Sequence, residues 1–145
     1  MIAVDSNILV YAHREDSPLH AAALQCLTAL AEGKTPWSIP WPCLHEFLAV
    51  ATHPRIYAPP TPLELAVAQI DAWLGSPSLV LLAEDEGYWP RLRALVLDGQ
   101  IAGPKVHDAR IAAICLQNGI DELWTVDRDF SRIPALRVRN PLRSA

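Results

Sequence analysis

The feature that most constrains this chain is its opening. Ile2, Ala3 and Val4 form a short apolar run that is continuous rather than alternating. Such a run suits a strand buried on both faces of a parallel sheet. Asp5, Ser6 and Asn7 follow at once, and all three residue types favour helix starts.

Apolar runs then alternate with helical patterns to the end of the chain. Residues 18–30 read as an amphipathic helix ending near Gly33, and residues 37–41 as a second strand. Pro42 suits the first turn of a helix running to about Thr52. Residues 53–62 hold four of the 13 prolines and read as a loop. Pro62 opens another helix that ends near Gly75. Residues 79–83 give a third strand, 88–97 a helix and 99–105 a loop. Residues 107–117 form a strongly apolar helix closed by Asn118-Gly119, a favourable C-terminal cap. Residues 123–126 read as a fourth strand and 136–138 as a fifth. This alternation implies an α/β fold, with a mostly parallel sheet of four to five strands covered on both faces. Neither a repeat nor a linker interrupts it, so residues 1–145 are expected to form a single domain.

Hydrophobic residues make up 51% of the chain and charged residues 19%, enough to build a core. The three cysteines, Cys26, Cys43 and Cys115, are widely spaced in apolar stretches. Neither a disulfide framework nor a zinc site is expected, and a reducing cytoplasm is the natural setting. The first residues lack the pattern of a signal peptide. No run approaches the roughly 18 apolar residues needed to span a membrane. A net charge of −4 argues against a broad basic nucleic-acid footprint. That argument weakens if several acids share one pocket, because bound cations reverse the local sign.

Four acids stand out. Ligands of an open parallel sheet bind beyond the carboxyl ends of its strands, where Asp5 and Asp127 each follow an apolar run. Glu46 has Pro42, Cys43, Ala49 and Val50 as its helical neighbours, which predicts a carboxylate pointing along or beside the packed face. Asp108 opens its helix with Ile111, Ala112 and Cys115 continuing its row. A carboxylate aimed at a core costs on the order of several kcal/mol unless it is paired or metal-bound. Bases to pair with are scarce, since Lys34 and Lys105 are the only lysines. Converging acids repel one another, and a divalent cation with a preference for oxygen resolves that repulsion. Such a site suits phosphodiester hydrolysis by metal-activated water. Taken singly, each acid has a plainer reading as a helix cap, a helix-dipole charge, a turn residue or half of an ion pair. Together they favour a site. Glu15 and Asp16, Glu84 to Glu86, and Asp121 with Glu122 fall in loop-like stretches and are expected to be solvated. The five histidines lack metal-ligand spacing, and most of the five tryptophans are expected in the core or an interface.

These residues resemble the PIN domain and, more closely, the VapC-type toxins of type II toxin–antitoxin modules. Val4-Asp5-Ser6-Asn7-Ile8-Leu9 is similar to the first family motif and His45-Glu46-Phe47 to the second. Val106-His107-Asp108-Ala109-Arg110-Ile111-Ala112-Ala113 resembles the third and Thr125-Val126-Asp127-Arg128-Asp129-Phe130 the fourth. Arg139-Asn140-Pro141-Leu142 is similar to the usual ending of one VapC subgroup. The resemblance implies a three-layer α/β/α sandwich holding magnesium (Mg²⁺) or Mn²⁺. It implies endoribonuclease activity, often on tRNA or ribosomal RNA. It also implies a homodimer inhibited by a cognate VapB-type antitoxin, in a heterotetramer or larger assembly. Carried over by position, Asp5 and Asp108 would ligate metal directly, and Glu46 and Asp127 would complete the cluster through water or a second ion. Ser6, Asn7 and Thr125 would orient the acids. Asp129 competes with Asp127 for the fourth position.

Arg14, Arg91, Arg93, Lys105, Arg110 and Arg128 are candidate phosphate contacts. An alternative is a catalytically inactive PIN-like binding module whose acidic pocket holds a basic partner segment. A haloacid-dehalogenase-type site is disfavoured, since it wants an aspartate where Asn7 stands. A receiver domain is disfavoured too, because its paired early acids and late strand-end lysine are missing.

Overall fold

The computed structural model describes residues 1–143. Its sheet has five strands: β1 (Ile2–Val4), β2 (Trp37–Pro40), β3 (Leu79–Leu82), β4 (Glu122–Trp124) and β5 (Val138–Arg139). All pairings are parallel, in the order β3-β2-β1-β4-β5. The continuous apolar run at the start thus becomes the central strand, with Ala3 and Val4 fully buried. Six helices cover the sheet: α1 (Ser6–His13), α2 (His20–Glu32), α3 (Trp41–Ala51), α4 (Leu63–Leu74), α5 (Tyr88–Asp98) and α6 (Val106–Gln117). Short 3₁₀ turns at Gly103–Lys105 and Asp129–Arg132 complete the chain.

The chain moves outward from β1 to β2 and β3, then returns past β1 to β4 and β5. Parallel crossovers are right-handed, so the first four helices cover one face and the last two the other. Consistent with this, α1 packs on α2 and α3, while α5 packs on α6. The strand order reverses between β1 and β4, which opens a crevice at their carboxyl ends. Trp37, Phe47 and Phe130 are the largest fully buried side chains. Trp37 and Trp73 lie in the core, but Trp41 and Trp89 are exposed.

All four later strands shift their expected limits, the third by ending at Leu82. The second strand stops at Pro40, and Trp41 begins α3, because Pro42 occupies an early helical position that needs no N–H donor. The fourth begins at Glu122 and ends at Trp124. Glu122 is therefore a half-buried strand residue, not a solvated loop acid, and its Oε1 accepts from Trp124 Nε1 at 2.8 Å. The fifth lies at Val138–Arg139, whereas Leu136 is a buried plug ahead of it. Among the described residues, no helix is long and apolar enough to cross a membrane.

Candidate active site

Asp5 is the residue just past β1 and the N-cap of α1. One short segment therefore sets both the helix start and the carboxylate position. Asp5 is only 4% exposed. Its Oδ1 accepts from Ser6 N at 2.7 Å, and its Oδ2 accepts from Thr125 Oγ1 at 2.8 Å. The Cys43 thiol, from α3, lies 3.5 Å from Asp5 Oδ1. Burial raises the Asp5 carboxyl above its ordinary range, against the lowering effect of bonds from Thr125 and Ser6, and Glu46 pushes it further up. Burial also holds Cys43 firmly in its thiol form, so it is a donor to Asp5 rather than a nucleophile.

Thr125 and Asn7 lock the neighbouring strand ends together. Thr125 Oγ1 accepts from Asn7 Nδ2 and from Asp127 N, both at 3.0 Å. Asn7 Oδ1 accepts from Val126 N at 3.2 Å. The loop after β4 is thus stitched to the start of α1, and Asp127 is fixed at the crevice.

Asp108 sits in the first turn of α6, where the helix dipole favours a negative charge. It is half-buried. Burial, then Asp127, Asp5, Asp129 and Glu46 in that order, pushes its carboxyl up to about 6. Its carboxyl thus lies within electrostatic reach of four other acids, of which Asp127 and Asp129, rather than Asp5 and Glu46, form a close group with it. One oxygen each from Asp108, Asp127 and Asp129 lies within 4.8 Å of the others. Asp127 Oδ1 also accepts from Asp129 N at 2.8 Å.

Glu46 requires a correction. Its side chain is not aimed at the core: the residue is exposed, as is Ala49 beside it. The buried face of α3 runs through Pro42, Cys43, Leu44 and Phe47, and Glu46 borders it. From there its Oε1 accepts from Ser6 Oγ at 2.7 Å. Sequence neighbours three and four positions away could not reveal which edge of the apolar stripe it occupies.

Among the described residues, Asp5, Glu46, Asp108 and Asp127 have no Lys, Arg or His ion-pair partner, while Asp129 has Lys105 at 3.8 Å. Hard oxygen donors without matching bases fit a divalent cation such as Mg²⁺ or Mn²⁺. Of the candidate phosphate contacts, Lys105 and Arg128 border the acids. Arg110 is held by Glu84 at 2.6 Å, and Arg14 is held by Asp16 and stacks 4.3 Å over Tyr57. Arg91 and Arg93 are exposed on α5. The sequence places Cys43 near Glu46 on its helix but does not reveal its contact with Asp5.

The PIN-domain family model matches residues 2–136. The chain is 37% identical over 142 residues to VapC ribonuclease Mb2897 of Mycobacterium bovis, covering 98% of this chain and 96% of that protein. Its fold matches VapBC2 of Rickettsia felis, bound to a DNA fragment from their promoter, with a TM-score of 0.67 at 23% identity, covering 96% and 98% of the two chains. It also matches VapC20 of Mycobacterium tuberculosis, a sarcin–ricin loop cleaving toxin, with a TM-score of 0.66 at 17% identity, covering 90% and 93%. The chain belongs to the PIN-domain family and, within it, to the VapC ribonucleases.

Proposed function

We propose that the chain acts as a single PIN domain and is the endoribonuclease toxin of a VapBC-type toxin–antitoxin module. Its substrate is structured RNA, tRNA or ribosomal RNA, in the cytoplasm, and its cofactor is Mg²⁺, with Mn²⁺ able to substitute. The observation that carries this reading is the convergence of unpaired carboxylates at the reversal of strand order between β1 and β4. Asp5 and Asp108 would hold the ion directly, with Glu46 and Asp127 completing the set through water or a second ion. When bound, a divalent cation supplies Lewis acidity toward phosphoryl oxygens and water. Thr125, Asn7 and Ser6 keep the carboxylates in place through the hydrogen bonds described above. The thiol of Cys43 donates to Asp5 on its buried side. Glu46 and Asp127, less enclosed than Asp5, would orient an attacking water.

A homodimer combined with a VapB-type antitoxin, in a heterotetramer or larger, is the resting form in this reading. The toxin–antitoxin complexes among the structural neighbours support the pairing with an antitoxin. The test is to induce the chain with and without its adjacent small reading frame and to sequence RNA ends. New ends at discrete positions, suppressed by the neighbouring frame and lost in Asp5→Asn, are expected. Identical RNA ends from the wild type and Asp5→Asn would overturn the proposal.

A further inference from the structure

We infer that an arginine-lined recess beside Asp127 holds the RNA backbone next to the cleaved bond; this rests on the nuclease reading above. An acidic pocket repels a polyanion, so a substrate strand needs a positive surface near it. Five of the chain's 12 lysines and arginines fall within residues 128–143, where Asp129 is the single acid. The remainder of the chain is correspondingly more acidic than the net charge of −4 suggests.

The fold turns this charge asymmetry into a site. Asp127, Arg128, Ser131, Arg139, Asn140 and Arg143 line one recess of about 350 Å³. Thr125, whose hydroxyl bonds Asp5, lines it too. The recess therefore continues directly from the carboxylate cluster. Parallel pairing of β5 with β4 brings Arg139 level with Trp124, and the Thr125 N–H donates to the Arg139 carbonyl at 3.0 Å. Asn140 is held by accepting from Leu142 N at 2.9 Å.

The arginines are also available. Among the described residues, Arg128 and Arg143 make no ion pair, and Arg139 only reaches Glu122 at 4.0 Å. By contrast, Arg110 and Arg14 are each tied to an acid at 2.6 Å. Arg128, Arg139 and Arg143, together with the Asn140 amide and the Ser131 hydroxyl in the same lining, offer charged and neutral donors suited to the phosphates of a single strand. The expected ligand is the sugar–phosphate backbone rather than a particular base.

The test is fluorescence anisotropy with a labelled single-stranded RNA oligonucleotide, in the Asp5→Asn background so that the probe survives. Arg139→Gln/Arg143→Gln should weaken binding about tenfold and lower the salt slope by about 1.4, at ~0.7 per lost phosphate contact. Lys34→Gln/Arg55→Gln, which removes two exposed charges away from the recess, should leave both unchanged. If the double variant of the recess misfolds, Arg143→Glu alone, at the exposed end of the described chain, should weaken binding. Unchanged affinity and slope in a folded recess variant would overturn the inference. So would loss of antitoxin capture with RNA binding intact, which would make the recess a protein-binding surface. Arginine-dependent RNA binding without cleavage by the wild type would defeat the nuclease reading alone. Cleavage that ignores these arginines would defeat only the recess.

Discussion

Thr125 Oγ1 donates to Asp5 Oδ2 at 2.8 Å and thereby joins the end of β4 to the end of β1. The same oxygen accepts from Asn7 Nδ2 and Asp127 N. Its one donor and two acceptor positions are all used. Thr125→Val leaves Asp5 without its shortest side-chain donor and should cost about 1–3 kcal/mol of stability. Cleavage should fall about 10–100-fold, as when a partner that orients a metal ligand is removed. Thr125→Ser should recover most of both. Denaturant melts and initial cleavage rates report the two effects. Wild-type values for Thr125→Val would show that this bond positions nothing.

The carboxylate cluster makes stability depend on pH. Asp108 titrates at about 6 in the fold against an ordinary 3.8. The folded chain therefore holds this proton more tightly than the unfolded chain. Its contribution is full below about pH 4 and is lost as pH rises through about 6. Asp5 is raised too and acts in the same direction. Asp108 is half-buried, so after allowance for solvent screening the loss is about 1 kcal/mol, or roughly 2–4 °C in Tm. The difference between wild type and Asp108→Asn, melted in chelator across this range, isolates the effect from the exposed acids Asp16 and Asp121, which are shifted downward. A constant difference between the two proteins would contradict the assignment.

Mn²⁺ should raise the melting temperature of the wild type, since a ligand at about 100 times its Kd adds ~2.7 kcal/mol. Asp127→Asn should reduce that gain more than Asp129→Asn. Asp127 is half-buried and held by Thr125 through its own N–H, whereas Asp129 is exposed and shares Lys105. The reverse order in a thermal-shift titration would make Asp129 the fourth acid.

Gly119 closes α6 with φ at +66°, and Ile120 N donates back to Cys115 O at 3.0 Å. No atom within 4 Å would obstruct a Cβ there. Gly119→Ala should therefore cost only the left-handed backbone penalty, about 1 kcal/mol, without altering cleavage. A loss of activity at unchanged stability would mean that this cap, remote in sequence from the acids, also positions Asp108.

The features legible in the sequence were those with a local cause. The continuous apolar run before Asp5 announced a central parallel strand, and Asn118-Gly119 announced the end of a helix. The placement of Asp5 and Asp127 past strand ends followed from that pattern. Strand limits were less legible, because Leu136 is apolar for core packing rather than for the ladder. Glu46 was misread because its orientation depends on how α3 rotates against α1, which no window of α3 contains. The Cys43 contact depends on the pairing of β2 with β1, and the recess of Arg139 and Arg143 on the order of β1, β4 and β5, both long-range properties.

The most direct measurement is cleavage of a single-stranded RNA by purified, antitoxin-free chain, with Mg²⁺ or with chelator, alongside Asp108→Asn. Losing an interaction worth several kcal/mol to the transition state slows the reaction on the order of a hundredfold or more. The expected result is Mg²⁺-dependent cleavage by the wild type and at least that loss in Asp108→Asn, whose melting curve remains cooperative. Equal cleavage by the two proteins, or full activity in chelator, would contradict a metal-centred active site at these carboxylates.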